Sequence, residues 1–150
     1  MTMSELLIVA AIAGLVFMLA VPKIAVIRDG AGKRAARQQL VAAFAATRAA
    51  ALQKGKSATL TLTSSTAKVT VLSGLAGAEV TTWGPIAFQS TLNATIAPLN
   101  GASNTISYNA RGMLTPTPAG TLQYQLTVGT TKDTVCISTT GIIMPKGCKL

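Results

Sequence analysis

The N-terminal stretch MTMSELLIVAAIAGLVFMLAVP, residues 1–22, decides how this chain folds. Within it, Leu6 to Val21 form an unbroken run of uncharged and almost wholly apolar residues. A helix needs about 20 apolar residues to cross a bilayer, and this run is slightly shorter than that. It becomes long enough only when flanking residues, including Glu5, are counted. So long an apolar helix has to bury its side chains against something other than the rest of this chain.

The composition excludes most enzymatic chemistry. Apolar residues make up 49% of the chain and charged residues 11%, with 13 Lys and Arg against 4 Asp and Glu, for a net charge of +9. No histidine is present, which excludes His-based triads, His general bases and His metal ligands. The four carboxylates lie far apart in sequence, and two cysteines alone cannot build a closed zinc site. The sequence therefore favours a structural or binding protein without catalytic residues, metal or cofactor.

An alanine-rich segment, residues 23–53, is predicted to continue the N-terminal helix, because Ala is the strongest helix former. Leu40, Phe44 and Leu52 recur near helical spacing, which gives the segment one packing face. A helix from about residue 4 to residue 53 would be about 75 Å long at 1.5 Å per residue. Gly55 is the expected helix stop.

Beyond residue 55 the period of the sequence drops to two, which indicates strands. Residues 58–63 and 68–72 predict a hairpin. Further strands are predicted at residues 80–83, 86–89, 105–108, 122–128, 134–138 and 142–144. Turns are predicted at residues 100–101, 111–112, 129–133 and 140–141, and a stiff polar loop at residues 115–118. The predicted fold class is therefore α+β, a long helix packed on a mostly antiparallel sheet.

Two general interpretations of the first 24 residues are open. A secretory signal peptide would have a basic stretch before the apolar run, which is absent here, and the helical pattern continues well past the run. A simple membrane anchor would place Glu5 inside an apolar segment, where a lone carboxylate is costly.

The chain begins with Met1-Thr2-Met3-Ser4-Glu5, and the apolar run with Gly14 and Pro22 follows. This order resembles the mature N terminus of type IV pilins and of type II secretion pseudopilins. The resemblance implies the mature form of a chain whose short leader is removed by a prepilin peptidase, leaving an N-methylated Met1. It also implies the inner membrane as the location before assembly. The partners are then the assembly machinery and further copies of the chain in a helical filament. Residues 1–28 would form the membrane-inserted and filament-core segment, and residues 29–150 the globular pilin domain.

The same resemblance gives roles to three residues of the apolar segment. Glu5 is expected to meet the α-ammonium group of Met1 on a neighbouring subunit, since a carboxylate in an apolar bundle is tolerated when it is paired. The alternative is that Glu5 only reaches towards lipid headgroups. Around Gly14 and Pro22 the helix is expected to lose hydrogen bonds in the filament, although a simple proline kink remains the alternative.

Two later motifs narrow the resemblance to the GspH/FimT-type pilin domain. They are ISYNARG at residues 106–112 and VCISTTG at residues 135–141, with a final Cys148. Export from the cytosol makes a Cys136–Cys148 disulfide the expectation, worth about 3 kcal/mol in the chain-entropy estimate. Two buried free thiols are the alternative.

DNA uptake is a further function found among such pilins. Members that bind DNA carry arginines just after the glycine that corresponds to Gly141, whereas this chain has Ile142 to Met144 there. The candidate DNA contacts are Arg111, Lys132, Lys146 and Lys149. Solvated positive charge, partly paired between subunits, is the simpler interpretation of the net charge. The Thr- and Ser-rich surface also offers sites for O-glycans.

The sequence therefore predicts a non-enzymatic subunit of an extracellular type IV pilus-like filament, polymerising through its apolar helix. The alternatives are a minor, tip-located pilin that binds DNA and a GspH-like pseudopilin of a periplasmic secretion filament.

Overall fold

The structure, a computed structural model, describes residues 2–73, 78–144 and 148, except for the side chains of residues 19–26 and 73. One helix, α1 (Met3–Lys54), is followed by a domain of short strands. The strands are β1 (Ala58–Leu62), β2 (Thr66–Ser73), β3 (Ala78–Ala87), β4 (Ala94–Leu99), β5 (Thr105–Tyr108), β6 (Leu114–Thr115), β7 (Leu122–Val128), β8 (Thr131–Ile137) and β9 (Ile143–Met144). A single turn of helix, α2 (Phe88–Leu92), lies between β3 and β4.

The strands form two antiparallel sheets. The first sheet has the order β3-β2-β1-β5-β6, and the second has the order β4-β7-β8-β9. The β1–β2 turn joins them, because the backbone carbonyl oxygen of Ser64 accepts a hydrogen bond from the backbone N–H of Ile96 in β4 at 3.0 Å. The predicted α+β class, with a long helix packed on antiparallel sheet, is confirmed.

The C-terminal half of α1 supplies one side of the core. Its buried side chains recur every three or four residues, with one adjacent pair, as one helical face requires. They are Ala36, Leu40, the pair Ala43 and Phe44, Thr47 and Ala51. The ring of Phe44 lies 5.6 Å, centroid to centroid, from the ring of Tyr124 in the second sheet. Gly55 ends the helix in the left-handed conformation, with φ +62°, which confirms the predicted stop.

Several strand boundaries predicted from the sequence are wrong. The predicted strands 80–83 and 86–89 are one strand, β3, which ends at Ala87, and residues 88–92 are helical. The β2–β3 register shifts on either side of Val69, and this irregularity breaks the apparent period of two along β3. The expected turn 129–133 is shorter than predicted, because β8 already begins at Thr131.

Candidate assembly surface

The N-terminal part of α1 is solvent-exposed along its whole described length. Residues 2–18 are all exposed, and the fractions for the large apolar side chains run from 56% at Leu6 to 81% at Met3. A contiguous exposed apolar surface of this extent is typical of a protein interface or a membrane contact. Within the described residues, no helical segment meets the length and hydropathy needed to cross a membrane. We call residues 3–18 the free half of α1.

Contact between α1 and the domain begins at Asp29 and Gly32. A Cβ atom at Gly32 would lie 3.2 Å from Cγ1 of Val128, so the glycine lets the helix approach the end of β7 closely. The carboxylate of Asp29 lies against Gly129 in the β7–β8 turn, where φ is +55°. We call this end of the domain, where α1 leaves it, the proximal end, and we call residues 29–54 the packed half of α1.

Glu5 takes part in the first turn of its own helix. Its Oε2 accepts a hydrogen bond from the backbone N–H of Thr2 at 2.7 Å. A carboxylate at this position also interacts favourably with the helix dipole. Met1 lies outside the described residues, so the expected pairing of Glu5 with Met1 of a neighbour stays a prediction.

The helix runs without interruption through Gly14 and Pro22, from Met3 to Lys54. A Cβ atom at Gly14 would have nothing within 4 Å, so no packing inside the subunit requires a glycine there. The side chain of Pro22 lies outside the described residues. The loss of helical hydrogen bonds expected at these two positions concerns the filament and stays a prediction.

The expected disulfide between Cys136 and Cys148 is present, with the two Cα atoms 5.3 Å apart. Cys136 is a buried residue of β8 and pairs with Met144 of β9. The bridge therefore ties the chain that follows β9 back to the middle of the second sheet.

Two of the four candidate DNA contacts, Arg111 and Lys132, lie at opposite ends of the domain. Arg111 precedes Gly112, where a Cβ atom would lie 3.2 Å from the side chains of Arg48 and Leu52, at the distal end of the domain, where α1 ends. Lys132 lies in β8 opposite Thr127, at the proximal end. Residues 29 and 52 of α1 are roughly 35 Å apart at 1.5 Å per residue, which sets the scale of this separation. Lys146 and Lys149 lie outside the described residues, and DNA contact stays a prediction.

Hydroxyl groups cross the face of the first sheet that is turned away from α1. The strand registers place one hydroxyl residue on each of the five strands in a single row, in the order Thr81, Thr70, Thr59, Ser107 and Thr115. The hydroxyl oxygens of Thr59 and Ser107 are 3.1 Å apart and share a hydrogen bond. Only the two end members of this row, Thr81 and Thr115, are exposed, so only they are accessible to a glycan. O-glycosylation itself stays a prediction.

Sequence reasoning missed two polar contacts of the packed half. The guanidinium group of Arg37 forms a salt bridge with the carboxylate of Asp133 in β8 at 3.3 Å, and both side chains are half-buried. Arg48 lies near Tyr108, whose hydroxyl donates to the carbonyl oxygen of Gly141 at 3.3 Å. Burial raises the pKa of Tyr108 to about 12, and the positive charge of Arg48 opposes part of that rise. Both contacts join residues far apart in sequence, so no local pattern could have indicated them.

Comparison with known proteins identifies the family. The family described as "Type II transport protein GspH" matches residues 36–141 of this chain. The chain belongs to this family. The match begins within the packed half of α1 and ends at Gly141, so it covers most of the two-sheet domain and leaves the free half outside. The predicted kinship with pilins and pseudopilins is confirmed.

Solved structures of a type IV minor pilin show the same fold. Two crystal structures of FimU from Pseudomonas aeruginosa (strain PAO1) match with TM-scores of 0.56 and 0.55, each at 16% sequence identity. Each match covers 77% of this chain, with 94% and 99% of the FimU chains respectively. A search of the curated proteins finds no relative of this GspH-family chain.

Proposed function

We propose that this GspH-family chain is a structural, non-enzymatic subunit of an extracytoplasmic filament, and that copies polymerise through the free half of α1. The observation that carries the proposal is the sharp change in solvent exposure along a single helix. Residues 29–54 pack on the domain, whereas residues 3–18 present large apolar side chains to solvent. In a filament these side chains are buried against the same segment of neighbouring copies, which removes the apolar surface from water.

The extracellular type IV pilus is our first choice of filament, with the inner membrane as the location before assembly. The proposal includes removal of a leader by a prepilin peptidase, N-methylation of Met1 and delivery by a pilus assembly machinery. Glu5 then pairs with the terminal ammonium group of Met1 on an adjacent copy. An unpaired carboxylate among apolar helices is costly, so this contact favours one axial register between subunits.

The test compares Glu5→Gln with Glu79→Gln. Both substitutions remove one exposed carboxylate, but Glu79 lies in β3 of the domain and not on the free half. We expect Glu5→Gln to abolish or strongly reduce the filaments counted by electron microscopy, while Glu79→Gln leaves them at the wild-type level. Normal filaments from the Glu5→Gln chain would contradict the pairing.

A type II secretion filament is the second candidate, and the match to a family described as a type II transport protein favours it. Deleting the gene separates the two functions. Loss of surface pili with normal protein secretion supports the pilus, whereas loss of secretion with intact pili supports the pseudopilus.

A further inference from the structure

A groove opens at the distal end of the domain, between the end of α1 and the turn that precedes β9. Its volume is about 310 Å³, and its lining includes Phe44, Arg48, Leu52, Gly141, Ile142 and Ile143. We call it the distal groove. It lies in the two-sheet domain, at the opposite end of the packed half from the point where α1 leaves the domain.

The walls of the distal groove are apolar, exposed and held in place. Leu52 and Ile142 are 52% and 55% exposed, although both are large aliphatic side chains. Several hydrogen bonds fix the turn that carries Ile142. They include those from the Gly141 N–H to the carbonyl oxygen of Ser138 at 2.9 Å and from the Tyr108 hydroxyl to the carbonyl oxygen of Gly141 at 3.3 Å. A preformed apolar groove of this kind loses little conformational entropy when a side chain enters it.

Arg48 gives the distal groove its charge. The residue is half-buried, and its Nε lies out of contact with water and has no hydrogen-bond partner among the described residues. Because Nε is covered by protein, a partner's carboxylate would pair with the terminal N–H groups of the Arg48 guanidinium, and such charge-assisted hydrogen bonds are stronger than neutral ones. Two exposed cations, Lys54 and Arg111, lie at the same end of the domain.

We propose that the distal groove docks an acidic segment of a different protein. An apolar side chain of the partner lies between Leu52 and Ile142, and a neighbouring carboxylate pairs with Arg48. Charge argues against a second copy of this chain as the occupant, because each copy carries 13 basic and only 4 acidic residues. Of these four, Asp133 is already paired with Arg37. The proposal does not depend on polymerisation, since the groove is complete within one subunit.

The test measures peptide binding to the full chain in a non-ionic detergent, by fluorescence anisotropy. The first peptide alternates leucine with glutamate, and its twin has glutamine in place of glutamate. Two chain variants are matched: Arg48→Gln removes the groove cation, and Arg34→Gln removes an exposed cation from the same helix, 14 residues away. Ile142→Ala changes the apolar wall at an exposed position that the fold does not need.

We expect the acidic peptide to bind wild type and Arg34→Gln equally. Its binding to Arg48→Gln should be about tenfold weaker or worse, as expected when a hydrogen-bonded charge pair is lost. Ile142→Ala should weaken binding in the same direction, and the glutamine twin should bind poorly to every chain.

Three outcomes would contradict the proposal. Equal losses of peptide affinity in Arg48→Gln and Arg34→Gln would indicate general charge attraction. Equal binding of both peptides would show that the carboxylate does not contribute. A single-stranded oligonucleotide that binds with the same dependence on Arg48 would identify a nucleic-acid site instead. If Arg48→Gln does not fold, Ile142→Ala and Leu52→Ala decide, because unchanged binding of the acidic peptide to both would exclude the groove.

Discussion

The free half and the packed half of α1 share one continuous helix and have opposite surroundings. Residues 3–18 are more apolar than residues 29–54, yet the more apolar half is the exposed one. In the packed half, small alanines and a few large side chains such as Phe44 are buried on the two sheets. Hydrophobicity alone therefore does not determine which residues are buried within one subunit. We therefore expect a surface outside the subunit to cover the free half.

The largest effect on stability is expected when one phenylalanine from each half of α1 is replaced and the two losses are compared. Phe44 is 1% exposed and contacts the ring of Tyr124, whereas Phe17 is 69% exposed. Phe44→Ala should lower the free energy of unfolding by about 3–5 kcal/mol, since it leaves a cavity in the core. Phe17→Ala should change it by no more than about 0.5 kcal/mol. Denaturant unfolding of the full chain in detergent measures both, and equal losses would show that the two halves do not differ as described.

A second prediction concerns a variant that weakens the domain and leaves the sequence of α1 unchanged. Replacing both Cys136 and Cys148 by Ala opens a loop of 12 residues and should cost about 3 kcal/mol in stability. The helical circular dichroism signal of the detergent-embedded free half should persist at temperatures where the domain of this variant has unfolded. Simultaneous loss of all helical signal would show that the free half depends on the domain.

A third prediction concerns alkaline pH and the core that the packed half covers. The chain has two tyrosines, and burial raises the pKa of each, to about 12 for Tyr108. The folded state therefore holds these protons more tightly than the unfolded state, so the contribution of the two tyrosines to stability is fully present below about pH 10 and falls between pH 10 and 12. Phenolate absorbance should rise together with unfolding in that range. A full tyrosine titration near pH 10 in a folded chain would contradict the burial of both rings.

The smallest effect is expected from the Arg37–Asp133 salt bridge, which joins the packed half to β8. Both side chains are half-buried, so solvent screens their attraction. A double-mutant cycle with Arg37→Gln and Asp133→Asn should give a coupling energy of about 0.5–1 kcal/mol, decreasing with added salt. A coupling energy of zero at low salt would show that this ion pair does not stabilise the fold.

Much of the fold follows from local sequence patterns, and the exceptions have physical causes. The helix stop at Gly55 and the β1–β2 hairpin were predicted from one glycine and a period of two. The strand β4 was missed because Pro98 interrupts its pattern, which an edge strand tolerates. The α2 turn was mistaken for a strand, because its apolar beginning at Phe88 is too short to show a helical period.

The candidate sites divide in the same way. The free half and the spacing of Glu5 from Thr2 are visible in a contiguous stretch of sequence. The distal groove is not, because it forms only when the end of α1 meets Ile142, roughly 90 residues further along the chain. Likewise, the separation of Arg111 from Lys132 depends on which end of the domain each residue occupies, and sequence order does not indicate this.

Electron cryo-microscopy of filaments from cells that produce this chain tests the central claim most directly. We predict a helical polymer in which this chain is the repeating subunit, with residues 3–18 buried against the same residues of neighbouring copies. The two-sheet domain should lie on the outside. Filaments that lack this chain as the repeating subunit, or in which residues 3–18 remain exposed while the domains alone make the contacts, would contradict it.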